Sequence, residues 1–176
     1  SNAASSFYDV ELYLDDTSSI TVPEIKSRVR RLKNVDAIMI DYLGLIQSAG
    51  RKENRVQEVS EITRQLKMMA KDLNIPVICC AQLSRGTEGR GKSHKPQLSD
   101  LRESGSIEQD ADIVMFLYRE EYYKNEVDED KQDEIDESMT ELIVAKNRHG
   151  QTGTIELSFD KEFTRFRAVD NVRDYN

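Results

Sequence analysis

Cysteine is scarce: 176 residues hold two, Cys79 and Cys80, side by side in an apolar run. Adjacent thiols form neither a CxxC redox motif nor a zinc-ligand pair, and no disulfide framework can be drawn from them. The expectation that follows is a reducing, cytoplasmic compartment. Histidine is as sparse, with two residues, which speaks against a histidine-rich metal centre. Long apolar runs are missing as well. The longest, such as residues 37–40 and 113–117, fall far short of a membrane span, so no membrane partner is expected. No secretory signal pattern opens the chain. Ser1-Asn2-Ala3 matches the scar of a cleaved expression tag, and residues 1–3 are set apart from the domain at 4–176.

The length suits one ordinary domain. Apolar residues make up 38% and charged residues 33%, enough for a core under a heavily charged surface. The formal net charge is −8, yet its distribution matters more than its sum. Between Glu120 and Glu141 eleven acidic residues face only Lys124 and Lys131, while the rest of the chain has 23 basic against 22 acidic residues. The acidic excess is one local segment, read as a solvated loop or short helix.

Residues 10–14 alternate as a short strand. Thr21-Val22-Pro23-Glu24 has the form of a capping box with proline in the first turn. Ile25, Val29 and Leu32 then share one helical face, and this helix is expected to end near Asn34. Residues 35–41 form a nearly continuous apolar run ending in a carboxylate, the pattern of a strand buried on both faces. Val56, Val59, Ile62, Leu66, Met69 and Leu73 recur at spacings of three and four, an amphipathic helix. Residues 75–81 read as a second buried strand. Gly86, Gly89, Gly91 and Pro96 break periodicity in a loop. A short helix is expected over 106–110, a third buried strand over 111–118 and a fourth over 141–145. Residues 154–159 and 163–169 read as a hairpin. Alternating strands and helices predict an α/β fold with a parallel sheet and right-handed crossovers.

Open parallel sheets bind ligands at the carboxyl ends of their strands. Asp41 follows Ile38-Met39-Ile40, the form of a Walker B element whose carboxylate holds Mg²⁺ through water. The same pattern also fits a strand-end aspartate that opens a turn. Gln82, at the end of the second strand, can hydrogen-bond a terminal phosphate or its attacking water. Lys146 and Arg148 alternate after the fourth strand, so both point to one side and can reach a phosphate chain. An exposed basic turn is the plainer reading of that pair. The run from Gly86 to Ser93 satisfies GxxxxGKS, but a P-loop lysine must open a helix. His94-Lys95-Pro96 follows instead, so the match is read as coincidental. Arg85, Arg90, Lys92 and Lys95 against Glu88 make this a basic loop.

Together these elements carry a resemblance. Asp41-Tyr42-Leu43-Gly44-Leu45-Ile46, Gln82-Leu83-Ser84-Arg85, the run DLRESGSIEQDADIV from Asp100 to Val114, and Lys146-Asn147-Arg148-His149-Gly150 stand in the order and spacing of one family. The chain resembles the C-terminal RecA-like motor domain of bacterial replicative DNA helicases of the DnaB type. The resemblance implies a RecA-like, mostly parallel sheet flanked by helices, with a C-terminal antiparallel hairpin. It implies a homo-hexamer that hydrolyses ATP with Mg²⁺ and moves 5′ to 3′ on single-stranded DNA at the replication fork. By the family pattern Asp41 organises Mg²⁺ and Gln82 senses the γ-phosphate. Lys146 and Arg148 reach into the neighbouring subunit's site as trans lysine and arginine finger. Arg102, Glu103 and Gly105 line the central channel and hold the DNA backbone, and the loop with Arg85, Arg90 and Lys92 is a second channel-side element. Primase and a helicase loader are implied partners of the full-length protein.

The chain also departs from that pattern. In the family the P-loop and catalytic glutamate precede the Walker B strand, and nothing here before Asp41 supplies either. Residues 17–20 are not glycine-rich, and Glu11 has the wrong context. The chain therefore reads as the C-terminal part of a motor domain, carrying half an ATP site and inactive alone. The family's P-loop strand lies between the strand ending at Gln82 and the one starting near Asp112, so that gap must close, stay open or be filled by another chain. Alternatives are a non-enzymatic module binding nucleic acid or a loader, a related RecA-fold recombinase-type ATPase, and a two-metal nuclease on Asp15, Asp16 and Asp41.

Overall fold

Local signals start and stop the first helices. In the computed structural model, which describes residues 10–48, 50, 54–83, 94–101, 105–126, 136 and 138–169, strand β1 (Ile20–Thr21) runs directly into helix α1 (Val22–Val29). Glu24 closes the capping box, accepting from the Thr21 amide at 2.8 Å and from its hydroxyl at 2.7 Å. The helix stops short of the expected end, and Asn34 sits in the left-handed region at φ 55°. Helix α2 (Arg55–Leu73) begins where the Asn54 side chain accepts from the Gln57 amide at 2.9 Å. It ends where Asn74 turns left-handed, φ 53° and ψ 42°, a conformation asparagine tolerates at helix ends.

Three further strands complete the first half: β2 (Ile38–Ile40), β3 (Ile46–Gln47) and β4 (Val77–Cys79). β1 pairs parallel with β3, and β2 pairs parallel with β4 with Ile40 opposite Cys79. α2 lays Val59, Ile62, Leu66 and Met69 against Val22, Ile38, Leu43 and Ile46, forming one buried cluster. The predicted 3.6-residue stripe of α2 is the face that is buried.

The second half is antiparallel. Helix α3 (Gly105–Asp110) leads into β5 (Ile113–Tyr118), followed by β6 (Met139–Asn147), β7 (Gly153–Asp160) and β8 (Arg165–Ala168). These four strands pair in the order β5-β6-β7-β8. The expected hairpin is present as β7–β8, and it continues a larger sheet. A single parallel sheet was the expectation from alternation; instead β6 returns antiparallel to β5, because no α-helical crossover lies between them among the described residues and a direct return favours antiparallel pairing. Leu101, Val114 and Phe116 form its buried cluster, and Ile107 of α3 packs against both clusters.

Two expectations need correction. Residues 10–14 form no strand; Leu12 and Leu14 are 67% and 87% exposed, having no sheet edge to bury them. The third strand is not buried on both faces. Val114, Phe116 and Tyr118 point inward, while Ile113, Met115 and Leu117 are more than half exposed. Met39 and Ile78, paired across β2 and β4, are exposed as well. Among the described residues β4 and β5 do not pair, so the gap anticipated between them stays open.

Candidate functional site

Asp41 lies beside the end of β4. The β2–β4 ladder closes with the Cys80 amide donating to the Ile40 carbonyl at 2.9 Å and the Leu43 amide donating to the Cys80 carbonyl at 2.8 Å. This register sets Asp41 next to Cys80, and Gln82 follows two residues later in the chain. Both Asp41 and Gln82 are exposed, a carboxylate and an amide beyond the carboxyl ends of paired parallel strands. The peptide between Asp41 and Tyr42 is cis. Just behind them, burial, and after it the Cys80 and Asp41 charges, push the Cys79 thiol up to about 12. Cys79 is therefore a neutral, packed group at this edge rather than a thiolate nucleophile.

The cations lie on another element. Lys146 stands on β6 opposite Val114, and Arg148 follows the strand. The Lys146 ammonium donates to the Ala111 carbonyl at 2.8 Å and to the Glu108 carbonyl. The Arg148 amide donates to the Asp112 carbonyl at 2.8 Å. Its guanidinium donates from Nη2 to the Gln109 carbonyl at 2.9 Å and sets Nε 3.5 Å from Asp112 Oδ1. Both side chains thus converge on the carbonyl-rich end of α3, where unpaired carbonyls favour cations. Lys67 of α2 also bonds Asp112, and with the Arg148 and His149 charges it holds that carboxyl below the usual range. Thr63, one turn before Lys67, donates its hydroxyl to Asp110 at 2.6 Å.

Gly105 is the first residue of α3, and a side chain added there would meet nothing within 4 Å. Arg102 and Glu103 lie outside the described residues, as do Arg85, Arg90, Lys92 and the GxxxxGKS match. Most of the acidic run also lies outside them. Lys95, part of the basic loop, donates to both Glu141 oxygens at 2.6 and 2.8 Å. Asp15, a member of the nuclease reading, is bonded instead to Arg28 and to Thr17.

One feature escaped the sequence. The Arg119 guanidinium sits 4.1 Å from the Phe159 ring centre and 4.7 Å from that of Tyr122. Nearby, His94 stacks on Tyr123 at 4.3 Å. His94, Arg119, Tyr122 and Tyr123 border a cleft of about 220 Å³. The guanidinium is also paired with Glu121 and its side chain is only 12% exposed, so its charge is met and it packs against the rings within the fold. Arg119 is forty residues from Phe159, and only the β5-to-β8 sheet brings it to the Phe159–Phe166 pair of the hairpin. The local signal was the aromatic run near Tyr118, Tyr122 and Tyr123.

A family model for the DnaB-like helicase C-terminal domain matches residues 1–168. The chain is 51% identical to the replicative DNA helicase DnaC of Bacillus subtilis over 93% of its own length and 35% of that protein. It is 50% identical to the replicative DNA helicase DnaB of Geobacillus stearothermophilus over 98% of its length and 37% of that protein. The chain thus spans just over a third of these relatives. Among solved structures, an ATPase domain matches with TM-score 0.84 at 38% identity, covering 96% of this chain and 58% of that one. A DnaB-like replicative helicase, described with its interactions with primase, matches with TM-score 0.79 at 41% identity, covering 89% and 37%.

Proposed function

This chain belongs to the family of DnaB-like helicase C-terminal domains, and from that premise we propose that it is the part of an ATP-driven replicative DNA helicase that carries half a nucleotide site and lends two cations to a neighbour's. The observation that carries this reading is the division of polar groups. Asp41 directly follows β2 and Gln82 lies three residues past the end of its partner β4, while Lys146 and Arg148 are held at the end of α3. An arrangement in which the cations of one copy face the strand ends of the next completes a site between subunits, and a homo-hexameric ring has that arrangement at every interface. RecA-like folds of related helicases support it.

Each residue has a role suited to its chemistry. Among the described residues no group of three or more carboxylates, histidines or cysteines could hold a metal alone. Mg²⁺ needs none: it is held by one or two carboxylates, phosphate oxygens and water. Asp41 fits as that carboxylate, and when bound the ion neutralises charge on the β- and γ-phosphates of ATP. Gln82 offers both donor and acceptor to the terminal phosphate or its water. Arg148 offers a planar fork to phosphate oxygens, and Lys146 a compact charge.

Arg102, Glu103 and Gly105, with Arg85, Arg90 and Lys92, serve the single-stranded DNA backbone, where phosphate contacts hold without reading sequence. Translocation runs 5′ to 3′, and primase and a loader are partners of the full-length protein. A cytoplasmic location goes with this reading. In the full-length protein, Arg148→Ala leaves nucleotide binding near normal and lowers ATP hydrolysis by a factor on the order of 10³, the scale of an arginine finger. Retained turnover removes Arg148 from that role.

A further inference from the structure

We infer that Asp112, braced by Lys67, is a positioning residue that presets Arg148 for its reach toward a neighbouring phosphate; the inference rests on the finger reading above. Arginine has a long side chain with large rotamer freedom, and an untethered finger loses that freedom at the moment of reaction. Arg148 is not untethered. Its amide is fixed by the Asp112 carbonyl at 2.8 Å, its Nη2 by the Gln109 carbonyl at 2.9 Å, and its Nε lies 3.5 Å from Asp112 Oδ1. These contacts occupy one flank of the guanidinium. The side chain is still 45% exposed, so the rest of the fork is open to an anion.

Lys67 makes this arrangement a brace rather than a trap. A lone carboxylate beside a guanidinium draws it into a bidentate pair, which would retract the finger within its own subunit. Here the Lys67 ammonium takes Asp112 Oδ2, leaving only Oδ1 toward Arg148, at 3.5 Å. Lys67 is anchored on α2, whose Thr63 holds Asp110 one turn earlier at 2.6 Å. After Asn74, the same helix leads into β4 and on toward Gln82. The carboxyl that orients the cation is thus held by a lysine of the helix that precedes β4.

The test uses the full-length protein and begins with Arg148→Ala as reference. Asp112→Asn is expected to lower kcat for ATP about 10- to 100-fold, the cost of a small misplacement. KM for ATP, affinity for single-stranded DNA, ring assembly and melting temperature stay at their normal values. Asp112→Glu restores part of the rate, and Lys67→Met lowers kcat in the same way. Normal turnover in Asp112→Asn, with Arg148→Ala inactive, overturns the positioning role and leaves the finger intact. A lower rate accompanied by a lost ring, a lower melting temperature or a raised KM makes Asp112 structural and overturns it too. Normal turnover in Arg148→Ala removes the finger reading, and this inference with it.

Discussion

The two halves are built on opposite principles. From β1 to β4 the strands are two or three residues long, paired parallel, and held by burial: Ile46 of β3 and Ile62 of α2 are 1% and 0% exposed in one shared cluster. From β5 to β8 the strands reach nine residues and form one four-stranded antiparallel sheet with a register shift between Val114 and Met115, yet one face of β5 stays open to solvent. The first half draws its order from apolar burial along a helix; the second draws more on backbone hydrogen bonds between neighbouring strands. The chemistry divides along the same line. The carboxylate and amide follow the parallel pair, and the cations stand at the end of β6. Thr63–Asp110 and Lys67–Asp112 tie the halves together through α3.

The sharpest way to break this comparison is to empty a core position. Ile62→Ala removes a fully buried side chain of α2 and is expected to cost about 2–5 kcal/mol in denaturant unfolding. Leu117→Ala, on the open face at 58% exposure, is expected to stay within about 0.5 kcal/mol. Equal effects would show that the β5 face is as packed as the first half. A smaller effect tests the tie between halves. Thr63→Val keeps the shape and removes the donor to Asp110, and a bond to a charged group is worth about 1.5–3 kcal/mol. A cycle with Asp110→Asn isolates that coupling, and additive losses would mean the bond links nothing.

The smallest effect concerns the exposed entry to the first half. The Thr17 hydroxyl, then the Arg28 guanidinium, hold the Asp15 carboxyl at about 2, below its unfolded value of about 3.9. A lowered folded value gives a contribution that is present above about pH 4 and fades as pH falls toward 2. Asp15→Asn is expected to flatten that acid limb of the stability profile and leave neutral pH little changed. An unaltered limb would mean the pairing exerts no hold in solution.

Legibility followed the range of the interactions. The Thr21–Glu24 cap and the stripe from Val59 to Met69 are set by residues three or four positions apart, and they stand where the pattern puts them. Asp41 was legible as a strand end because a continuous apolar run precedes it, whereas β4 stops at Cys79, three residues before Gln82. The antiparallel return of β6 was not, because strand direction depends on what the connecting segment does in space. The half-exposed face of β5 was not either, since a continuous apolar run looks the same whether one face is covered or both. Arg119 beside Phe159 was hidden by forty residues of separation that the ladder removes.

Composition, periodicity and motif order by themselves determined the class of fold, most of the elements, and the residue types available for nucleotide chemistry. These are properties of near neighbours along the chain. Only the tertiary structure decided that the Asp41 carboxylate lies beside the end of β4, that the cations are held by the end of α3, and that a carboxyl braced from α2 stands beside Arg148. Those facts arise from pairings between residues dozens of positions apart, whose register no local pattern encodes.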